Sequence, residues 1–381
     1  MKSPQIPERC LMGPGPSDLY PEVMTALGLP GVGHLDPVFI ELMDSIKAAQ
    51  RAAFQTESAH SFTISAPASA AMEAAIANLV EPGDEVLVCI NGVFGGRMAE
   101  MARRHGAKVH KLGFDWGQPV APEKVEDMLR QHPSTNLVAF VHAETSTGVR
   151  SDAEAISAVA REHDCLTLMD TVTGLGGIPV AMDEWELDVV FSGSQKCLSC
   201  VPGVAPLMVS EKARERIRSR RSPPVSWFLD LQLLAGYWEG NGRRAYHHTA
   251  PVSAMYAWHA ALARLLEEGL EAAWNRHRKL SDELGRQLAK LGLERVVDPA
   301  WALPQLTVVG VPDDCADEAA VRSRLLSEFG LEIGAGLGDW AGNVWRIGLM
   351  GHSCRKENVG RCISALAAVL GRPQPKDEAA A

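Results

Sequence analysis

A single lysine stands at the end of an apolar run in the segment "FSGSQKCLSC", which covers residues 191–200. The run "LDVVFSGSQ" predicts a buried strand, so Lys196 is expected where that strand ends. A lysine amine withdrawn from water loses its charge readily and can form a Schiff base with an aldehyde. Lys196 is therefore a candidate nucleophile, and the ordinary alternative is a solvated surface lysine.

A carboxylate closes a second apolar run, "CLTLMD", in which Asp170 precedes Lys196 by 26 residues (196 − 170). A carboxylate at a buried strand end needs a cation or several hydrogen-bond donors. Asp170 therefore either faces a bound cation or caps the turn "TVTGLGG" that follows it. The glycines of this turn lack the G-x-G-x-x-G spacing, and no helical pattern follows them, so they are not a dinucleotide fingerprint.

A third feature is a helix start after a strand, in "SAPASAAMEAA", where Ala68 and Ser69 open the helical pattern. Free backbone N–H groups and the helix dipole can hold a phosphate at such a position, although an ordinary Ser N-cap is the alternative. A phosphate seat, a strand-end Asp and a strand-end Lys in this order are what pyridoxal phosphate requires. Together the three features predict that cofactor.

Two other patterns could bind a metal or exchange thiols. Cys197 and Cys200 form a C-x-x-C, but no second pair or nearby histidine completes a zinc set, so we expect two ordinary cysteines. His247 and His248 are adjacent and should point in different directions. The sequence therefore predicts no metal site.

The elements that would position these residues alternate between short apolar strands and amphipathic helices from about residue 60 to 210. Runs that are apolar on both faces predict an α/β fold, a mostly parallel sheet sandwiched by helices, with ligands at the carboxyl ends of its strands. After Pro251 one long helical stretch leads to "LTVVGVP", "LEIGAGL", "NVWRIGL" and a last helix from about Arg355, which predicts a smaller C-terminal α+β domain.

These patterns give four predicted segments. They are an N-terminal arm (1–15), a large domain (16–268), a small C-terminal domain (269–371) and a polar tail (372–381).

Composition narrows the class of protein. The chain has 381 residues, 46% of them hydrophobic, which is enough for a sizeable core. Its formal net charge of -10 disfavours nucleic acid or an anionic membrane as the main partner. Scattered cysteines and the lack of an apolar leader or membrane-length run predict a cytoplasmic protein.

Seven segments carry a family resemblance along nearly the whole chain, in this order: "LMGPGPSDLYPEVM", "EPGDEVLVCINGVFGGR", "HAETSTGV", "MDTVTGLGG", "LDVVFSGSQKCLSCVPG", "YHHTAPVS" and "NVWRIGLMG". The chain thereby resembles the class V, fold type I aminotransferases, in particular the alanine–glyoxylate and serine–pyruvate group. The resemblance implies the fold type I large domain and pyridoxal 5'-phosphate as cofactor.

The resemblance also implies roles for individual residues. Lys196 would bind the cofactor covalently, Asp170 would keep its ring nitrogen protonated, and Arg346 would grip the substrate carboxylate. The other implied cofactor contacts are Phe94 and Val172 on the two ring faces, Thr145 near the phenolic oxygen, and Ala68, Ser69, Gln195, Tyr246 and Thr249 at the phosphate, with Tyr246 and Thr249 reaching across a dimer interface.

Two positions depart from the family pattern. Relatives often carry Ser-Gly-His or Ser-Gly-Thr where this chain has Pro67, Ala68 and Ser69, and commonly a Trp where it has Phe94. Both departures leave the chemistry intact and affect the choice of substrates.

The implied activity is transamination between alanine or serine and glyoxylate or pyruvate, in a homodimer with shared active sites. Ureidoglycine–glyoxylate, aspartate–glyoxylate and pyridoxamine–pyruvate transamination are alternatives in the same family. A cysteine desulfurase would need a mobile-loop thiol, for which Cys354 is the candidate. A cofactor-binding regulator would normally add a DNA-binding domain, for which length and charge leave no room.

Overall fold

The computed structural model describes residues 4–240 and 244–375. The first three residues of the predicted arm and the last six of the predicted tail lie outside the described residues. The strands are β1 Cys10–Leu11, β2 His60–Ile64, β3 Glu85–Ile90, β4 Lys108–Gly113, β5 Thr135–Val141, β6 Ala143–Glu144, β7 Val149–Arg150, β8 Leu166–Asp170, β9 Val189–Phe191, β10 Ala205–Val209, β11 Leu306–Gly310, β12 Leu331–Glu332, β13 Gly334–Ala335 and β14 Val344–Gly348.

The helices pack on both faces of these strands or join them. They are α1 Pro21–Leu27, α2 Pro37–Phe54, α3 Ala68–Leu79, α4 Val93–Arg104, α5 Pro122–Gln131, α6 Ala153–Glu162, α7 Glu211–Arg218, α8 Leu231–Trp238, α9 Val252–Glu268, α10 Leu270–Lys290, α11 Glu318–Phe329 and α12 Lys356–Leu370.

A seven-stranded sheet is built from strands within residues 60–209, in the order β2-β10-β9-β8-β5-β3-β4. Strand β10 runs antiparallel to both neighbours, and the other pairs are parallel. Phe140 and Met169, on adjacent strands β5 and β8, are fully buried, as expected for strands covered by helices on both faces. The predicted α/β fold with a mostly parallel sheet is confirmed.

Local sequence explains where the helices of this sheet begin. Asp152 accepts a hydrogen bond from the N–H of Ala155 at 3.1 Å and so caps α6. Ser210 caps α7 through the N–H of Ala213, also at 3.1 Å. Each cap satisfies a donor that the first helical turn leaves free, which fixes the starts of α6 and α7.

A smaller antiparallel sheet, β11-β14-β13, lies in the C-terminal part of the chain. A second apolar core joins it to α10, α11 and α12 and includes Trp345 and Leu366, both fully buried. The N-terminal arm is tied to this unit, because β1 pairs in parallel with β12 through Cys10 and Leu331. The chain then crosses to the segment that follows β9, where the N–H of Ser17 donates to the carbonyl of Gln195 at 3.0 Å.

One local prediction is wrong, and one strand was missed. The stretch after Pro251, expected as one long helix, is two helices, because Gly269 has φ 85° and ends α9 before α10 begins. Strand β4 was not predicted: its residues are exposed or half-buried at the sheet edge, so it lacks the apolar run of the central strands.

No helix in the described part of the chain combines the length and the apolarity needed to cross a membrane.

Candidate active site

One cavity of about 250 Å³ collects most of the predicted site residues at the carboxyl edge of the large sheet. Two of its walls come from the segments that follow β8 and β9, and a third comes from the start of α3. The predicted residues that line it are Ala68, Ser69, Phe94, Thr145, Asp170, Val172, Gln195 and Lys196. Residues far apart in sequence therefore meet where an α/β sheet binds ligands.

Asp170 is the last residue of β8 and is 2% exposed. Its Oδ1 accepts a hydrogen bond from the N–H of Val172 at 2.9 Å. Burial raises the pKa of the Asp170 carboxyl to about 7. No Lys or Arg among the described residues forms an ion pair with it, so a cationic group in the cavity would stabilise its charged form.

Lys196 follows β9 and is also buried. Burial, and next the neighbouring charge of Arg346, lower the pKa of the Lys196 amine to about 8. Nζ donates a hydrogen bond to the carbonyl of Pro14 in the N-terminal arm. Gly15, at φ 100°, lets the arm pass this closely, because a Cβ there would lie 2.5 Å from the Lys196 Nζ.

The start of α3 does not use Ser69 as an N-cap, which was the alternative to a phosphate seat. The N-cap is Pro67, which offers no side-chain hydrogen bond, and Ser69 is the second residue of the helix. Opposite this turn, a Cβ added at Gly193 would lie 2.9 Å from Oε1 of Gln195 and 3.4 Å from Cβ of Ala68. The glycine therefore keeps a narrow space open between the helix start and Gln195.

Arg97 brings a positive charge to the same end of the cavity, which the sequence analysis missed. Its Nη1 donates to Oγ of Ser69 at 3.0 Å. Its guanidinium carbon lies 5.0 Å from the centroid of the Phe94 ring, within cation–π range. Arg97 lines the cavity together with both residues. Its spacing from Phe94, one helical turn along α4, was the available signal.

The backbone of Phe94 is held by the buried carboxylate of Glu144, a residue that the sequence analysis did not single out. Oε2 of Glu144 accepts from the N–H of Phe94 at 3.2 Å, and Oε1 accepts from the N–H and Oγ of Ser146 at 2.9 and 2.5 Å. Gly92 permits this approach, because a Cβ there would lie 2.5 Å from Cδ of Glu144. Burial nevertheless raises the pKa of Glu144. The carboxylate thus fixes the backbone at the start of α4, including that of Phe94.

Arg346 lies on β14 and is 5% exposed. Its Nε donates to the carbonyl of Ala335 at 2.7 Å, and its Nη1 donates to the carbonyl of Thr145 at 2.9 Å. No carboxylate in the described ranges forms an ion pair with it. Burial lowers the pKa of the guanidinium to about 10, so it stays charged at neutral pH. Arg346 is not among the residues lining the cavity, but its charge acts on Lys196.

Tyr246 and Thr249 lie outside the cavity lining. Tyr246 is 63% exposed, and its hydroxyl lies 3.5 Å from Oγ1 of Thr249. Exposed apolar residues from the same part of the chain are Val225, Trp227 and Leu233. Within one subunit, therefore, these two predicted phosphate ligands are not brought to the other site residues.

A larger cavity, of about 600 Å³, lies between α10 and β11 and includes Trp274, Arg278 and Arg295 in its lining. That lining holds none of the predicted site residues. The smaller cavity combines a buried amine, a buried carboxylate and a helix start, so it is the stronger candidate for an active site.

Comparisons with known proteins point to one family. The family model described as aminotransferase class-V matches residues 18–349. The chain is 42% identical over 366 residues to the alanine–glyoxylate aminotransferase of Oryctolagus cuniculus, covering 96% of this chain and 93% of that protein.

Two solved structures are similar over nearly their whole length. The alanine–glyoxylate aminotransferase of Nostoc sp. superposes with a TM-score of 0.95 at 44% identity, covering 97% of each chain. The ureidoglycine–glyoxylate aminotransferase of Bacillus subtilis gives a TM-score of 0.95 at 38% identity, covering 100% of this chain and 97% of that one.

Proposed function

Because this chain belongs to the aminotransferase class-V family, we propose that it transfers the amino group of alanine or serine to glyoxylate or pyruvate. The observation that carries this proposal is the meeting of Asp170 and Lys196 in one cavity beside the start of α3. Neither side chain has an internal ion-pair partner among the described residues. Both suit a ligand that carries an aldehyde and a basic ring nitrogen.

Pyridoxal phosphate fits the chemistry of this cavity. When bound, it supplies the aldehyde that takes up the amino group and the ring that withdraws electrons from the reacting carbon. Asp170 would face its ring nitrogen, and a positive charge there would lower the raised pKa of the carboxyl. The space kept open by Gly193 between Gln195 and Ala68 suits a phosphate at a helix start.

Lys196 has two tasks in this proposal. Its amine would hold the cofactor's aldehyde, and after an amino acid has displaced it, it would carry the proton from the substrate Cα. Both tasks need the neutral amine. The pKa of about 8 leaves a useful neutral fraction near neutral pH, and the carbonyl of Pro14 orients the Nζ atom.

Arg346 would bind the α-carboxylate of both substrates. Its Nε and one Nη1 donor are fixed by the backbone of Ala335 and Thr145, which orients the guanidinium and leaves its other N–H groups for a carboxylate. A planar, held guanidinium matches a carboxylate with two parallel hydrogen bonds. The contact with Thr145 would also keep that residue beside the cofactor's phenolic oxygen.

We assign Arg97 to the phosphate end of the site. Pro67 provides neither a hydroxyl nor an N–H there, so the helix start has fewer donors than the family pattern. The Arg97 guanidinium, bonded to Oγ of Ser69, is placed to supply the missing donors and a positive charge. With Arg97 directed to phosphate, the cavity lining offers no other arginine for a distal carboxylate, which favours small donors over aspartate.

A homodimer would complete the site. Tyr246 and Thr249 are exposed and lie outside the cavity of their own chain, and the exposed side chains of Val225, Trp227 and Leu233 are apolar. We propose that a second copy covers this surface and that each subunit lends these two residues to its partner's phosphate site.

All eight cysteines are free thiols, which supports the proposed cytosolic location. Cysteine desulfuration receives less support, because Cys354 is fully buried and burial raises the pKa of its thiol to about 12. Ureidoglycine is the competing donor, since the structurally similar enzyme of B. subtilis is named for it. Transamination between pyridoxamine and pyruvate is the third candidate reaction.

A half-reaction screen tests the proposal. The yellow holoenzyme is mixed with one amino acid at a time, and its absorbance is followed as the bound aldehyde form gives way to the amine form. We expect alanine or serine to drive the change and glyoxylate to reverse it. If only ureidoglycine changes the absorbance, ureidoglycine is the amino donor. If no amine changes it, transamination is rejected.

A further inference from the structure

A cluster of two histidines and one glutamate lies at the far edge of the large sheet. Glu85, His110 and His132 each offer one ligand atom, and these atoms lie within 4.8 Å of one another. Sequence reasoning predicted no metal site, because the three residues share no motif and come from three separate elements. In the described part of the chain this is the one group of its kind.

The fold explains why the three side chains meet. Glu85 opens β3, and His110 lies on β4, where it pairs with Leu87, two residues along β3 from Glu85. Side chains two residues apart on a strand share a face, so Glu85 and His110 point to the same side of the sheet. His132 directly follows α5, the helix that packs against β3 and β4.

Hydrogen bonds and stacking hold the cluster. Oε2 of Glu85 lies 2.8 Å from Nε2 of His110, while Oε1 accepts from Nζ of Lys108 at 2.8 Å. The rings of His110 and His132 stack with centroids 3.7 Å apart and planes 16° apart, so one ring must turn out of the stack before both nitrogens can face the same ion. The side chains of His110 and Glu85 are only 10% and 19% exposed. Lys108 thus fixes one carboxylate oxygen and leaves the other facing the two imidazoles.

We propose that Glu85, His110 and His132 bind a divalent metal ion of the Zn²⁺ type. This ion would link the end of α5 to the sheet edge formed by β3 and β4. Two imidazoles and one carboxylate are a ligand set of Zn²⁺, whereas Mg²⁺ and Ca²⁺ take oxygen ligands. When the ion binds Nε2 of His110, the hydrogen between His110 and Glu85 leaves to solvent as a proton if the ring is charged, or moves to Nδ1 if the ring is neutral, and water fills the fourth position. The hydrogen bond from Lys108 orients the carboxylate from outside the ligand set.

This site is separate from the proposed chemistry. Glu85 lies at the amino end of β3, whereas Phe94 follows the carboxyl end of the same strand. The ion would act on stability, because anything that binds only the folded chain stabilises it. The inference therefore stands or falls independently of the transaminase assignment.

Zinc titration of the holoenzyme tests the proposal. Protein stripped with a chelator is titrated with ZnCl₂ by calorimetry, and with CoCl₂ by absorption, which reports tetrahedral coordination. His110→Gln and His132→Gln each remove one ligand. His105→Ala is the matched control, because His105 lies 3.7 Å from Glu73 in a pair that is not part of the cluster. A double variant of His110 and His132 measures background binding by thiols or cofactor.

We expect one saturable site per chain in the parent and in His105→Ala, with a rise in Tm on zinc addition. Each ligand variant should lose affinity by more than ~10-fold while transaminase activity stays unchanged. Equal binding by all variants, or no binding above the background, overturns the proposal. If His110→Gln fails to fold, His132→Gln decides alone, because its side chain follows a helix and belongs to no strand. A simple ion pair of His110 and Glu85 would show no zinc-linked change in Tm.

Discussion

Arg346 donates a hydrogen bond through Nη1 to the backbone carbonyl of Thr145 at 2.9 Å, across 201 positions of sequence. This bond links β14 of the small sheet to the segment that follows β5 of the large one. Because Thr145 also lines the cavity, one contact positions both the arginine that we propose as the carboxylate-binding residue and one wall of the proposed cofactor site. Substitutions of Arg346 should therefore be judged on the substrate and on the cofactor separately.

Arg346→Lys keeps the charge and removes the two-pronged geometry. We expect kcat/KM to fall for amino donor and keto acid alike, by an amount that corresponds to a loss of about 2–5 kcal/mol in transition-state stabilisation. The cofactor absorbance should stay near normal. Single-turnover kinetics of each half-reaction measure the loss. A variant that turns over alanine and glyoxylate like the parent would remove Arg346 from the substrate site. A lower Tm with intact half-reactions would make it a structural residue.

Arg97→Gln tests the phosphate assignment through binding rather than turnover. Losing a charged donor should weaken pyridoxal phosphate by ~10-fold or more, while pyridoxal, which lacks the phosphate, should bind about equally to parent and variant. Fluorescence titration of the apoenzyme gives both dissociation constants. Arg104→Gln, on an exposed face of the same helix, is the control. Equal weakening of both ligands would mean that Arg97 supports the ring through Phe94 instead.

Subunit mixing tests the shared site. Lys196→Ala and the double variant Tyr246→Phe/Thr249→Ala should each be inactive or nearly so as homodimers. After exchange, each hybrid dimer contains one intact site. The recovered activity should therefore be proportional to the share of hybrid dimers in the mixture. Native mass spectrometry confirms the exchange. If hybrids form and remain inactive, Tyr246 and Thr249 act within their own chain.

His60 should make stability depend on pH. Its ring nitrogens contact Glu239 and Glu211 at 2.8 and 2.7 Å, and the hydrogen bond with Glu239 raises the pKa of His60 above 6.5 despite burial and the nearby Arg214. A raised pKa means that this stabilisation is complete below pH 6.5 and is lost as the pH rises through the folded-state pKa. The Tm advantage of the parent over His60→Gln should shrink over that range. A constant or growing difference would contradict the ion-pair role.

The sequence predicted the site residues that lie at the ends of apolar strands. Asp170 and Lys196 close or follow apolar strands, and parallel pairing brings strand ends to one edge, so their meeting followed from pattern and topology. Ser69 was harder: the residue type suggested an N-cap, but Pro67 takes that position. The start of α3 was predicted correctly, whereas its capping chemistry depended on the backbone path.

Contacts that only tertiary structure creates were missed. Glu144 reads as one polar residue in "HAETSTG", and its role appears only when α4 begins against it. Strand β4 was missed because an edge strand needs no continuous apolar run. The break at Gly269 was hidden by a helical period that continues on both sides of the glycine.

The most direct test of the account is to locate the cofactor's covalent bond. Borohydride reduction of the holoenzyme, followed by digestion and mass spectrometry, should place the phosphopyridoxyl group on the peptide that contains Lys196. Lys196→Ala should carry no label, should still fold, and should lose turnover by orders of magnitude, because the amine that holds the cofactor also carries the proton. A label on another lysine, or a Lys196→Ala variant that turns over like the parent, would contradict the account.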